Sequence, residues 1–184
     1  MTAKTAFPPM ISPRALVQRV PRVAWLTIGA LLIYAIASHF ILAAYPDANL
    51  RLRFSIEPLL AASTVVQIHV TGAISAFVIG VVILASPKGL RWHKTLGWAW
   101  VIAMVVTASS SFFLSGMMGS AMSPIHALSA WTLIGLPFGI AAIRRRKINE
   151  HRQSMTGMFV GAIMIAGLFA FLPGRLMWHM FVTM

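Results

Sequence analysis

Six histidines hold most of the chemistry available to this 184-residue chain: His39, His69, His93, His126, His151 and His179. There is no cysteine, and the only acids are Asp47, Glu57 and Glu150. Thiol chemistry, disulfides and cysteine-held iron–sulfur clusters are thereby excluded. No HExxH occurs, and no acid lies inside an apolar run to complete a metalloprotease-like site. What remains is the neutral imidazole, which carries protons or ligates metals. His69 stands out because it lies in VQIHVTGAISAFVIG, within 30 residues (58–87) that contain no Asp, Glu, Lys or Arg. A titratable ring in such a run is costly. It is there either as a ligand or as a packed histidine bonded to a serine or carbonyl of a neighbouring helix.

The elements that position these histidines are membrane helices. The chain is 59% hydrophobic and only 10% charged, against about 25% charged residues in a soluble domain. Charge-free runs cover 23–46, 58–87 and 95–143. The third has 49 residues, roughly 73 Å as one helix, which is more than twice a ~30 Å hydrocarbon core. It must be two helices, broken at GMMGSAMSP (116–124), with Ser123 as N-cap and Pro124 at the first helical position. The last span ends at Pro173-Gly174. The expected fold is all-α: a tail at 1–22, then a five-helix transmembrane domain over 23–184. The spans fall at about 23–45, 59–86, 94–116, 124–144 and 151–173, with the last four as an antiparallel four-helix bundle. The segment 47–57, DANLRLRFSIE, reads as a short interfacial helix or a loop. The first helix is full length and lacks a small-residue cleavage site, so it reads as a retained span.

Charge sets the orientation. Of the 15 Lys and Arg, 12 fall in the tail and in the connections at 88–94 and 144–152. The other three, Arg51, Arg53 and Arg175, fall on the opposite side. The positive-inside rule places the N-terminus in the cytoplasm and the C-terminus outside, in a bacterial inner membrane. The net charge of +12 is explained by this anchoring, and nucleic acid is not expected as a partner.

On this topology His69, His93, His126 and His151 each lie in the first part of one of four successive helices. The helices alternate in direction, so His69 and His126 share the outer side while His93 and His151 share the inner side. In an antiparallel bundle alternate helices are diagonal neighbours. Each pair then points across the bundle axis, as bis-His ligation of a haem requires. Two b-type haems, one near each face, would let electrons cross the bilayer. Gly72, Ala76 and Gly80 follow His69 along its face and read as clearance for a flat ligand, although small residues also serve helix packing. Arg175, with Arg51 and Arg53, suits haem propionates or an interfacial anchor. Ser109, Ser110 and Ser111 read as helix–helix contacts, and most of the tryptophans as an interfacial belt.

His69, His93, His126 and His151 in this order resemble the pattern of the cytochrome b561 class of transmembrane di-haem proteins. That resemblance implies pairing of His69 with His126 and of His93 with His151. One departure is that His93, His126 and His151 lie in the first turn of their helices. The stretches HVTGAISAFVIG, RWHKTLGWAW, SPIHALSAW, EHRQSMTGMF and FAFLPGRLMW also resemble a family of small bacterial multi-pass membrane proteins without an assigned function. This second likeness runs through nearly the whole chain after residue 60 and implies a fold, not an activity.

The expected function is transmembrane electron transfer, making the chain a candidate membrane oxidoreductase. Its partners are the bilayer and an open donor and acceptor: quinol, small reductant, ferric chelate or protein. Two rival readings stand beside it. One is a non-redox transporter or assembly subunit, against which the shortage of intramembrane acids argues for the proton-coupled case. The other is an outer zinc or copper site built from His39, His69, His126 and His179.

Overall fold

The computed structural model describes residues 22–44, 51–114 and 124–183. The N-terminal tail up to residue 21 and most of the expected break at 116–124 lie outside the described residues. Helix α1 is Arg22–Ala43. A strand, β1, at Arg51–Leu52 and a short helix, α2, at Glu57–Leu60 follow. Then come α3 (Thr64–Ala85), α4 (Arg91–Ser111) and α5 (Pro124–Arg144). Helix α6 runs over Ile148–Ala170, α7 over Leu176–Phe181, and strand β2 over Val182–Thr183.

Three of these helices are long and apolar enough to cross a membrane: Thr64–Ala85, Ile125–Arg144 and Ile148–Ala170. Helix α4 has 21 residues, but Arg91, Lys94, three tryptophans and three serines dilute its apolarity. The apolar stretch described in α1 is shorter, Ile28–Ala43. The chain is thus largely helical with several apolar helices. Helix α4 packs on α3, α5 on α4 and α6 on α5, and the middle of α6 returns to α3.

Local chemistry explains the boundaries. The run after Glu57 divides at 61–63, where the backbone turns before Ser63 starts α3 in an extended conformation. Helix α4 stops at Ser111, whose hydroxyl folds back to the Ala108 carbonyl at 2.8 Å. Helix α6 is not uniform, because Phe159–Ile165 is a seven-residue π-helical segment. The segment 47–57 differs from both expectations where it is described. Arg51 and Leu52 pair antiparallel with Thr183 and Val182, and the Arg53 and Ser55 amides donate to the Phe181 and Met180 carbonyls at 3.0 and 2.8 Å. This strand pair, with α2 against α7, forms a cap at one end of the packed helices. The opposite end carries Arg91, Lys94, Arg144, Arg145, Arg146 and Lys147 and is the basic end.

The core sits around Ala76, Trp100, Met104, Leu136, Met158 and Phe159. Here the glycines after His69 receive a different explanation. A Cβ on Gly72 would come within 2.7 Å of Thr107 Oγ1, and one on Gly80 within 2.4 Å of the Phe159 ring. Protein side chains, not open space, lie beside these glycines. They allow α4 and α6 to approach α3 closely, the small-residue packing of membrane helices.

Candidate functional site

At the capped end the helices line a partly open cavity of about 530 Å³, within the range of small-molecule sites of about 300–1,000 Å³. Helix α3 contributes His69, Ala73 and Phe77; α4 contributes Met104, Thr107 and Ala108; α5 contributes Ser129 and Thr132. Helix α6 supplies Ala162, Met164 and Gly167, and Met177 of α7 lies at the cap. The lining is apolar apart from His69, Thr107, Ser129 and Thr132.

His69 is held in one orientation. Its Nδ1 lies 3.0 Å from the Thr107 carbonyl oxygen and 3.2 Å from Ser110 Oγ. A carbonyl only accepts, so Nδ1 carries the proton and Nε2 keeps its lone pair. The Ser110 hydroxyl donates to the Val106 and Thr107 carbonyls at 2.7 and 3.0 Å, which leaves its oxygen as a second acceptor for the ring. A packed histidine bonded to a serine and a carbonyl of the next helix is what the sequence offered as the plainer reading. The same bond fixes the tautomer that a metal-ligating imidazole uses.

His126 is buried, with its ring centroid 5.7 Å from that of Phe112 at the end of α4. It is not on the cavity wall: Ile125, Leu128, Ser129 and Thr132 supply the α5 side. Below it, Ser111 and Ser129 share a short hydroxyl–hydroxyl hydrogen bond between α4 and α5. A polar seam therefore runs from His69 through the α4 serines to α5.

At the basic end His93 and His151 are near enough to influence each other electrostatically. His151 Nδ1 donates to the Gly139 carbonyl at 2.9 Å, again leaving Nε2 as a lone pair. His93 lies in the first turn of α4, ahead of its apolar stretch, and its Nδ1 is buried without a hydrogen-bond partner. Burial, then the neighbouring His151 and Lys88, hold His93 below the 6.5 of a free imidazole. Trp100, one of the tryptophans, belongs to the buried core and not to an interfacial belt.

The remaining candidates are dispersed. Arg175 caps the start of α7 and is partly buried, which lowers its guanidinium pKa. It does not line the cavity. His39 and His179 are exposed, and no three His, Cys, Asp or Glu among the described residues gather into a metal-binding group. The outer cluster of His39, His69, His126 and His179 is therefore not assembled: α1 and α7 present their histidines outward. Thr107 and Gly139 were not foreseen, since a backbone carbonyl as anchor leaves no mark in residue type.

Of the residues expected to hold a flat, iron-bearing cofactor at the capped end, His69 lines the cavity, and His126 and Arg175 do not. The cavity has an imidazole whose Nε2 is available, and at the basic end one ring nitrogen is buried without a partner near a second histidine. Together the fold and these sites define a membrane protein built from several apolar helices, with two histidine-bearing ends. The family described as "predicted membrane protein (DUF2306)" matches residues 66–184, well over half of the chain, and the chain belongs to it. No curated protein and no solved structure gives a significant match.

Proposed function

We propose that this is a five-span inner-membrane protein whose last four helices form an antiparallel bundle that holds b-type haem and passes electrons across the bilayer. One observation carries the reading: His69 and His151 each tie Nδ1 to a backbone carbonyl of a neighbouring helix. That bond orients the ring and raises the basicity of Nε2. In this reading His69 offers Nε2 to a haem in the cavity, His126 would have to turn from its place off the cavity wall to be the second ligand, and His93 with His151 would hold a haem at the basic end. Arg175, which starts α7 at the capped end, is the guanidinium this reading assigns to the propionates. The charge distribution supports a cytoplasmic basic end and an outer capped end.

When bound, haem supplies reversible one-electron exchange. The chain's own contributions are different. Thr107 and Ser110 lock the His69 ring. The apolar wall excludes water, and the core between the two ends keeps the sites apart.

The test is a reduced-minus-oxidised spectrum of the protein purified in detergent. A Soret band with split α-bands is expected. A folded preparation supplied with haem that shows no Soret band refutes the proposal. The non-redox reading is favoured by one observation, the filling of the space beside Gly72 and Gly80. It predicts that no cofactor copurifies and that histidine-to-alanine changes alter stability only modestly.

A further inference from the structure

We infer that the basic end carries a binding site for the phosphodiester headgroup of an anionic phospholipid, on the polar face of α6 formed by Asn149, Arg152, Gln153 and Thr156. This goes beyond the electron-transfer reading and does not depend on it.

Asn149, Arg152, Gln153, Thr156 and Gly157 line a groove of about 400 Å³. Positions three and four apart share one side of a helix, so these residues form a single strip. It runs about 12 Å along the axis at 1.5 Å per residue. Helix α6 is one of the membrane-length helices, and the strip descends from its first turn along its side. The positive-inside rule accounts for the cations of the connection ahead of α6. It gives no reason for two amides and a hydroxyl on the helix itself, where an unsatisfied polar group facing hydrocarbon is costly.

These groups are also unused. Thr71, Thr95, Thr107 and Thr132 each donate to the carbonyl four residues back. Thr156 does not, and neither it nor Asn149, Arg152 or Gln153 has a side-chain hydrogen bond or ion pair among the described residues. The neighbouring acid, Glu150, is held by Lys147 at 2.8 Å. A Cβ on Gly157 would meet nothing within 4 Å, in contrast to Gly72 and Gly80, so this glycine borders open space.

Charge selects the occupant. Residues 144–152 hold five cations and one acid. The tail 1–21 carries Lys4, Arg14 and Arg19 and no acid, so it is not the complement. A phosphodiester is: its free oxygens accept from the Arg152 guanidinium and from the Asn149 or Gln153 amide. Thr156 lies about 6 Å further along the helix than Arg152, roughly the thickness of one interfacial layer. The ester carbonyls of a glycerolipid lie at that depth below its phosphate and can accept from the Thr156 hydroxyl. A soluble phosphate satisfies Arg152 but brings no carbonyl to Thr156.

The experiment titrates the full-length, delipidated protein in detergent with phosphatidylglycerol or phosphatidylcholine and reads bound lipid by native mass spectrometry. Tighter binding of phosphatidylglycerol is expected. Arg152→Gln is expected to weaken it about thirtyfold, the loss of a hydrogen bond to a charged group. Gly157→Leu, which fills the groove without removing a charge, is expected to weaken it as well. Arg145→Gln, which removes the same charge outside the groove, is expected to cost about fivefold at most. Circular dichroism and haem content should be the same in all three variants, so failure here leaves the electron-transfer reading untouched. Binding without headgroup preference overturns the proposal. Equal losses for Arg145→Gln and Arg152→Gln, or indifference to Gly157→Leu, also overturn it, because a diffuse basic field then accounts for the binding. So does displacement of the lipid by excess inorganic phosphate, since the site then takes a soluble anion.

Discussion

Replacing His69 by alanine separates a ligand from a packing residue, because the structure sets different sizes for the two losses. The ring's one polar tie is the Nδ1 bond to Thr107 and Ser110. Interhelical hydrogen bonds in membranes average about 0.6 kcal/mol and reach about 1.7. The Thr107 carbonyl is not orphaned by the change, since the Ser110 hydroxyl still donates to it at 3.0 Å. The lost ring also enlarges a cavity that already exists and opens no new void in the core. The expected cost is therefore about 1–2 kcal/mol, which corresponds to a fall in Tm of about 2–8 °C for a chain of this size. Haem at the capped end, in contrast, should be lost. Thermal unfolding in detergent by circular dichroism gives the first quantity and the pyridine haemochrome assay the second. Full haem retention in His69→Ala would refute the assignment of Nε2. A fall in Tm of more than about 15 °C would show that the tie to α4 holds the fold together far more strongly than one bond allows.

Gly80→Ala should destabilise. The Phe159 ring must retreat about 1 Å, from 2.4 Å to the 3.4 Å of ordinary contact, and overpacking costs about 1–3 kcal/mol against a helix-propensity gain of up to about 1. Gly97→Ala meets nothing within 4 Å and should leave Tm level or slightly higher in the same assay. His93 has a folded-state pKa below its unfolded value, so the unfolded chain binds its proton first. Its contribution to stability is complete above 6.5 and is lost as pH falls from there towards the folded pKa. Melting curves across that range should be flatter for His93→Gln than for the parent. Phe181→Ala should loosen the cap, and hydrogen exchange at the Arg53 and Ser55 amides should accelerate relative to that of α3.

Much of the helical layout was legible because apolar runs and their interruptions are compositional. Pro124 opens α5, and a turn before Pro173 and Gly174 ends α6. The partner of His69 was legible in kind, a serine and a carbonyl, because Ser109, Ser110 and Ser111 were the polar residues available on the next helix. The role of Gly72 and Gly80 was not. A small residue leaves room equally for a ligand or for Thr107 and Phe159, and only the rotation of α4 and α6 decides between them. The β1–β2 pairing was hidden for another reason: two-residue strands carry no periodicity, and their partners are at least 130 residues apart. The side that His126 faces likewise depends on helix rotation, which a first-turn position leaves open.

The π-helical segment Phe159–Ile165 makes α6 a helix with two phases. Each residue added or removed turns an α-helix by about 100°, and a π-turn accommodates one residue more than an α-turn. The half of α6 that carries His151 and the half that carries Ala166 and Gly167 are therefore keyed to each other by that surplus residue. A single deletion within 159–165 would let the segment relax to an α-helix. The far half would swing by about a quarter turn, and Ala166 and Gly167 would leave the cavity while His151 kept its bond to Gly139. The two ends of this protein can thus be re-indexed against one another by one residue, in a helix whose length and apolarity would hardly register the change.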